Sequence, residues 1–162
     1  MVNKDRLRTM KIFQGFSEDD LASTAQYLVE KFFPAGMVLI RDHVIGEGIY
    51  FIVSGQVKIV RGGIAQGETP IAELGAGQHV GEMALIDNRP TTAKVVADGA
   101  VVTYFLDRIK YRTLLDSHPA AAVKFLEHFS KSFCERLRNA NDLLLKERQM
   151  TAQLAAKLET PG

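Results

Sequence analysis

Apolar and polar positions divide the chain into three zones. From Asn3 to about Val29 the spacing is helical, with Leu7, Met10, Ile12 and Phe13 set among charges. "FSEDDLASTAQYL" follows, and its Ser17 and Asp20 form a Ser-x-x-acid pair that predicts a helix start with a capping box. From about Glu30 to Arg108 the pattern changes to short apolar runs: "MVLIRDH", "GIYFIVSGQVKIVRG", "TPIAELGAG", "TAKVVADG" and "VVTYFLD". Gly- and Asp-containing turns separate them, as in a sandwich or barrel. "IYFIVSGQVKIV" reads as the clearest hairpin, turning at Ser54 and Gly55.

The third zone, from Arg108 to Leu158, is helical again. "RIKYRTLLDS" predicts a short helix ending before Pro119, and a long helix then runs through "AAAVKFLEHFSKSFCERLRNANDLLLKERQMTAQLAAKLE". Leu126, Phe133, Ala140 and Leu154 share one heptad position; Leu137, Leu144 and Leu158 share another, four residues along. The seam weakens at Glu147 and Thr151, while Glu127–Lys131 and Asp142–Lys146 add i,i+4 pairs. A helix of about 40 residues extends ~60 Å, more than a domain of this size covers. Burying the distal stripe against a second copy of the chain is the simplest outcome, so a homodimer through this helix is expected. The closing "ETPG" reads as a frayed tail. The fold class expected is mainly β with flanking helices: an antiparallel roll or jelly-roll-like barrel, N-terminal helices and a long C-terminal helix. The division expected is 1–118 for the roll with its entry helices and 119–162 for the long helix.

Composition narrows the functions. The 162 residues are 46% hydrophobic and 24% charged, as in a globular protein with one sizeable core. The net charge of +1 gives no basic excess, so direct nucleic-acid binding is not expected. Cys134 is the single cysteine, which rules out an intrachain disulfide and a four-cysteine iron–sulfur site. "MVNKDRLRTMKIF" is too polar for a signal peptide, and no apolar run approaches the ~20 residues of a membrane span. A cytoplasmic protein is expected.

Catalytic signatures are missing. Gly75, Gly77 and Gly81 have the wrong spacing for a dinucleotide fingerprint and no βαβ context. No Gly-Lys-Ser/Thr pair makes a phosphate loop. His43, His79, His118 and His128 are far apart in sequence, without metal-ligand spacing. Neither an enzyme nor a metal or organic cofactor is expected.

One stretch remains, "GEMALIDNRPTTA", from Gly81 to Ala93. A short helix starting at Gly81-Glu82-Met83-Ala84-Leu85 directs free backbone N–H groups at an anion. Glycine lets a ligand approach closely. A carboxylate at Glu82 repels phosphate but accepts a hydrogen bond from a ribose hydroxyl. Amides for phosphate beside a carboxylate for sugar suggest a nucleotide. The plainer alternative is that Glu82 caps a turn and Gly81 makes it.

At this point the sequence resembles the cyclic-nucleotide-binding domain family, which includes catabolite activator-type regulators, regulatory subunits of cAMP-dependent kinase and gated channels. The resemblance runs from about Ile12 to Leu137: "KIFQGFSEDDLASTAQYL" is similar to the entry helices, "FFPAGMVLIRD" and "GEGIYFIVSGQVKI" to the first strands, and "LGAGQHVGEMALIDNRPTTAKVVA" to the phosphate-binding cassette. It implies a β-roll fold and a regulatory site for a cyclic nucleotide of the cAMP or cGMP type. It implies that Gly81 and Glu82 contact the ribose 2′-OH and that the Ala84 N–H contacts the cyclic phosphate. Val80 and Ile71 would line the nucleotide side, and Thr92 would offer a backbone or small polar contact. The family's lid falls near Leu137 to Asn141, where Asn139 and Asn141 carry amides suited to a base edge.

The chain departs from the pattern at Thr91. Ligand-binding members have Pro-Arg-x-Ala where this chain has Pro90-Thr91-Thr92-Ala93. That arginine's hydrogen bonds to the phosphate contribute ~1.5–3 kcal/mol, roughly ten- to hundredfold in affinity. Threonine supplies a hydroxyl but no charge. Arg89 is the nearest alternative cation, with Pro90 limiting how the loop adjusts. Two readings result: a cyclic-nucleotide sensor that couples its ligand to the dimerising helix, or a ligand-independent dimerisation or protein-interaction module. Many relatives of the catabolite activator continue into a helix-turn-helix; ending at Gly162, this sequence is expected to be a stand-alone sensor or a fragment.

Overall fold

The computed structural model describes residues 2–62 and 69–159, with side chains to residue 155 at the C-terminal end. The Leu158 side chain and the expected tail from Thr160 onward lie outside the described residues. The chain divides into two compact units, Met1–Leu126 and Glu127–Gly162.

The first unit opens with α1 (Lys4–Thr9), a single turn at Lys11–Phe13, and α2 (Glu18–Ala25). The Asn3 side chain caps α1 by accepting from the Asp5 N–H at 2.8 Å. Ser17 and Asp20 form the expected capping box on α2, each side chain accepting from the other's backbone N–H. Helix gives way to strand at β1 (Val29–Phe33).

Among the described residues six antiparallel strands follow: β1, β2 (Val38–Ile40), β3 (Gly48–Arg61), β4 (Thr69–Gly75), β5 (His79–Val80) and β6 (Lys94–Asp107). The path is β1-β6-β3-β4, with β2 on β6 and β5 on β3. Among the described residues the path does not close, so the expected barrel is an open roll. The hairpin expected at Ser54 and Gly55 is instead a bend within β3. Residues 48–54 of that strand pair with 102–107 of β6, and 56–60 pair with 94–98 of the same strand. The register shifts on either side of Ser54. Gly55 sits at φ 87°, where a Cβ would meet the Ala100 carbonyl at 2.3 Å. A bend that keeps the same partner carries both strands from one part of the roll to the next.

Alternation along β3 and β6 separates two cores. Phe33, Leu39, Tyr50, Ile52, Val101 and Phe105 belong to the cluster inside the roll. Phe51 faces the other way, with Phe13 at 5.2 Å and Phe125 at 6.1 Å between ring centroids. Phe16 adds an edge contact to Phe125 at 5.1 Å. Phe13, Phe51 and Phe125 are each at most 2% exposed, and burying one such ring stabilises by ~1.5–3 kcal/mol. Lys124 ties the start of the last helix to Asp20 on α2 at 2.5 Å.

Short α3 (Glu82–Ile86) lies between β5 and β6, and α4 (Arg108–Ser117) follows β6. The Asp107 side chain caps α4 by accepting from the Lys110 N–H at 2.8 Å. Pro119, favourable in a first helical turn, opens α5 (Pro119–Glu159). The second unit, described by itself, is the distal part of α5. Its Leu137, Leu144 and Leu154 are 63%, 54% and 56% exposed, so the heptad stripe is open to solvent in the single chain. No helix of the described residues is long and apolar enough to cross a membrane.

Candidate functional site

The cassette starts where β5 leaves the sheet. Val80 pairs with Tyr50 on β3 and is buried. Gly81 then takes φ 99°, and a Cβ there would lie 2.4 Å from the Gly48 carbonyl oxygen and 3.2 Å from Ile40. Only glycine fits both the conformation and the space. The turn sends the chain into α3, whose first N–H groups have no partner within the helix.

Alternate sides of α3 differ. Glu82, Ala84 and Leu85 are at most 5% exposed, whereas Met83 and Ile86 are 54% and 41% exposed. A carboxylate as enclosed as Glu82 is costly unless it is hydrogen-bonded, which marks it as a placed group rather than a surface charge.

Arg108, the first residue of α4, clamps this helix from outside. Its guanidinium donates to the Gly46 carbonyl at 3.0 and 3.1 Å, to the Ala84 carbonyl at 2.9 Å and to Asn88 Oδ1 at 2.8 Å. One side chain thus joins the loop before β3, the body of α3 and the turn after it.

Beyond α3, the Arg89 N–H donates to Asp87 Oδ1 at 3.0 Å, and Arg89, Pro90 and Thr92 are exposed. Thr91 is half-buried and laces the loop to residues 41–44. Its hydroxyl donates to the Arg41 carbonyl at 2.6 Å and accepts from the Val44 N–H at 3.1 Å. Its backbone N–H donates to Val44 O at 2.8 Å, and its carbonyl accepts from the His43 N–H at 2.9 Å. The hydroxyl that replaces the family's arginine is therefore occupied by backbone.

Gly81 and Thr91 share the wall of a cavity of ≈ 520 Å³ with Lys31, Arg41, Glu47 and Tyr50. That volume suits a small organic ligand. The Lys31 ammonium lies 3.5 Å from the centroid of the Phe105 ring and 5.4 Å from that of Tyr50. Burial, with the Glu47 carboxylate adding to it, pushes the Tyr50 hydroxyl up to about 12, so it remains a proton donor at neutral pH.

Of the residues expected at the site, the structure brings Gly81 and Thr91 to this cavity. Glu82, Ala84 and Val80 are buried in the adjoining cassette. Ile71, Met83, Arg89 and Thr92 are exposed and are not among the lining residues. Asn139 and Asn141 are exposed on the second unit. Sequence reasoning missed Arg108, Arg41, Lys31 and Tyr50. Among the described residues no group of three His, Cys, Asp or Glu side chains is placed to hold a metal.

The family model described as cyclic nucleotide-binding domain matches residues 30–118. The cAMP-dependent protein kinase regulatory subunit of Blastocladiella emersonii is 30% identical over 118 residues, covering 73% of this chain and 29% of that protein. The chain thus spans under a third of the length of that relative. Two solved structures are regulatory subunits of cAMP-independent protein kinase A from trypanosomes. The one from Trypanosoma cruzi, bound to guanosine, matches with TM-score 0.65 and 25% identity over 81% of this chain and 48% of its own. The one from Trypanosoma brucei matches with TM-score 0.64 and 27% identity over 78% of this chain and 49% of its own. It is a triple variant, one change being threonine to arginine, bound to cAMP in the A site. Its three replaced positions are spaced along the sequence as Ala84, Thr91 and Thr92 are here.

Proposed function

This chain belongs to the cyclic nucleotide-binding domain family, and on that premise we propose that it is a regulatory sensor module whose cassette takes a nucleotide-class ligand through its ribose. The observation that carries this reading is the Gly81–Glu82 pair: a left-handed glycine with no room for a side chain, followed by an enclosed carboxylate. Glu82 accepts from the sugar hydroxyl, and the N–H groups of α3 meet the phosphate. The protein is regulatory rather than catalytic, acts in the cytoplasm, and does not itself bind nucleic acid. Its parts divide as the roll, 1–118, and the helical segment, 119–162. Ligand-driven tightening of α3 reaches α4 through the Arg108 clamp and continues into the helix that follows, and the exposed stripe of that helix pairs two copies. A ligand shifts such a switch only by its differential affinity for the two arrangements.

Within this reading the cyclic phosphate is bound weakly. Position 91 carries no charge, and its hydroxyl already serves Arg41 and Val44. The same observation favours a second reading, in which the ligand is an uncharged nucleoside. The guanosine bound to one trypanosome relative and the threonine-to-arginine change in the cAMP-bound variant of the other support it.

Calorimetric titration of the full chain with cAMP, cGMP, adenosine and guanosine separates the readings. Cyclic nucleotides bind better than nucleosides under the first, and nucleosides bind better under the second. Glu82→Gln weakens whichever binds. If none of the four binds, the chain is a ligand-independent dimerisation or protein-interaction module.

A further inference from the structure

We propose that the cavity beside the cassette is an anion subsite and that Arg41, not Arg89, is the cation that meets a ligand phosphate there. The inference rests on the reading above insofar as the phosphate belongs to a nucleotide.

Three observations converge on Arg41. It follows β2 directly, and its carbonyl accepts the Thr91 hydroxyl at 2.6 Å, so the backbone of residue 41 touches the position where related cassettes carry their arginine. It lines the same cavity as Gly81 and Thr91, whereas Arg89 is not among the lining residues. Among the described residues its guanidinium makes no ion pair, while the Arg108 guanidinium already makes four hydrogen bonds, to Gly46, Ala84 and Asn88. Lys31 is the second cation of the cavity wall, seated on the ring of Phe105, and Glu47 is the one opposing carboxylate among the described lining residues. Two cations against one carboxylate, beside a buried phenol that donates, suit a phosphate ester. A planar guanidinium offers it paired hydrogen bonds that an ammonium cannot.

Substituting threonine at 91 then has a consistent logic. Threonine brings no charge of its own to the cavity wall. Its hydroxyl holds the Arg41 backbone and leaves the charge at the cavity to Arg41.

The test uses the full chain and two ligand types. cAMP and adenosine are titrated into wild type, Arg41→Ala, Arg41→Lys and Arg89→Ala. In parallel, inorganic pyrophosphate is titrated while the amide shifts of Gly81 and Thr91 are followed. Arg41→Ala is expected to weaken cAMP by about tenfold or more and to change adenosine by less than about twofold. Arg41→Lys recovers part of the loss, Arg89→Ala has no effect, and the pyrophosphate shifts disappear in Arg41→Ala. Equal losses for cAMP and adenosine make Arg41 structural and overturn the proposal, as does a cAMP loss in Arg89→Ala instead. If neither cAMP nor adenosine binds but pyrophosphate still shifts Gly81 and Thr91 through Arg41, the nucleotide reading fails and the subsite stands. If pyrophosphate gives no response and the cAMP affinity of Arg41→Ala equals that of wild type, the subsite fails whatever the nucleotide reading does.

Discussion

The guanidinium of Arg108 donates to the carbonyl of Ala84 at 2.9 Å, joining the first residue of α4 to the middle of α3 across 24 residues of sequence. The same group holds Gly46 and Asn88. Removing it leaves two part-buried backbone carbonyls without their charged donor, each such bond contributing ~1.5–3 kcal/mol. Arg108→Ala is expected to lower stability by ~2–3 kcal/mol in denaturant melts. It should also raise amide exchange in α3 and the 46–48 loop more than in β6. Arg108→Lys reaches fewer acceptors and recovers less than half. Uniform exchange across the first unit would show that the clamp is not local.

Two glycines separate conformation from space. Gly77 has φ 83° with open space where a methyl would sit, whereas Gly81 has φ 99° and the Gly48 carbonyl oxygen 2.4 Å from that point. Gly77→Ala should cost ~1 kcal/mol, the penalty for a left-handed alanine. Gly81→Ala carries that penalty plus a backbone collision, so its cost should be at least twice as large, with ligand binding abolished. Equal costs in thermal melts would mean that the Gly81 turn relaxes freely.

Local features of this fold were legible in the sequence and distant ones were not. The Ser17–Asp20 box spans three residues and was readable as such. Gly81-Glu82-Met83-Ala84-Leu85 was readable as a short helix because its signals are adjacent. Whether Ser54-Gly55 makes a hairpin or a bend depends on which strand the second half pairs with, and that partner, β6, lies some 40 residues on by the pairing of Gln56 with Asp98. Thr91 could be seen to lack charge, but its hydroxyl partners lie 47 and 50 residues earlier. Arg108 left no signal, because backbone carbonyls supply three of its four hydrogen bonds and any sequence has them. Arg89 was the natural candidate from proximity alone; Arg41 is adjacent only after β2 and the cassette loop have met.

Thr91 supplies a test in which stability and affinity move in opposite directions. Thr91→Val removes the hydroxyl's two hydrogen bonds and keeps the shape, and should cost ~1–2 kcal/mol. Thr91→Arg loses the same lacing but adds a guanidinium, so it should melt earlier than wild type and yet bind cAMP about ten- to hundredfold better. A Thr91→Arg chain that binds no better would place the barrier to cAMP elsewhere in the site.

Asp20 sets an acid limit on the first unit. Burial alone raises its carboxyl, but hydrogen bonds from Lys124 and from Ser17 outweigh it and hold the carboxyl below its usual value of 3.8. A carboxyl lowered in the folded state contributes stability that is present above its unfolded value and is lost as pH falls through the folded one. Wild type should therefore lose stability on acidification below about pH 4, and Asp20→Asn should lose less over the same interval while being weaker at neutral pH. Parallel stability–pH curves for the two proteins would show that the Asp20–Lys124 pair does not matter to folding.

The distal helix offers the last test. Leu137 and Leu144 are seven residues apart on one face and are 63% and 54% exposed, while Leu145 is 56% exposed and lies about a third of a turn round from Leu144. If the stripe pairs two copies, Leu137→Asp with Leu144→Asp places charge in the seam and gives a monomer by sedimentation. Leu145→Asp, equally exposed but off the seam, leaves the dimer intact. The first unit should stay folded in both, as read from an unchanged pattern of slow amide exchange in β3 and β6. Dimers in all three proteins would put the interface away from this stripe, and a monomeric wild type would remove the dimer from the proposal altogether.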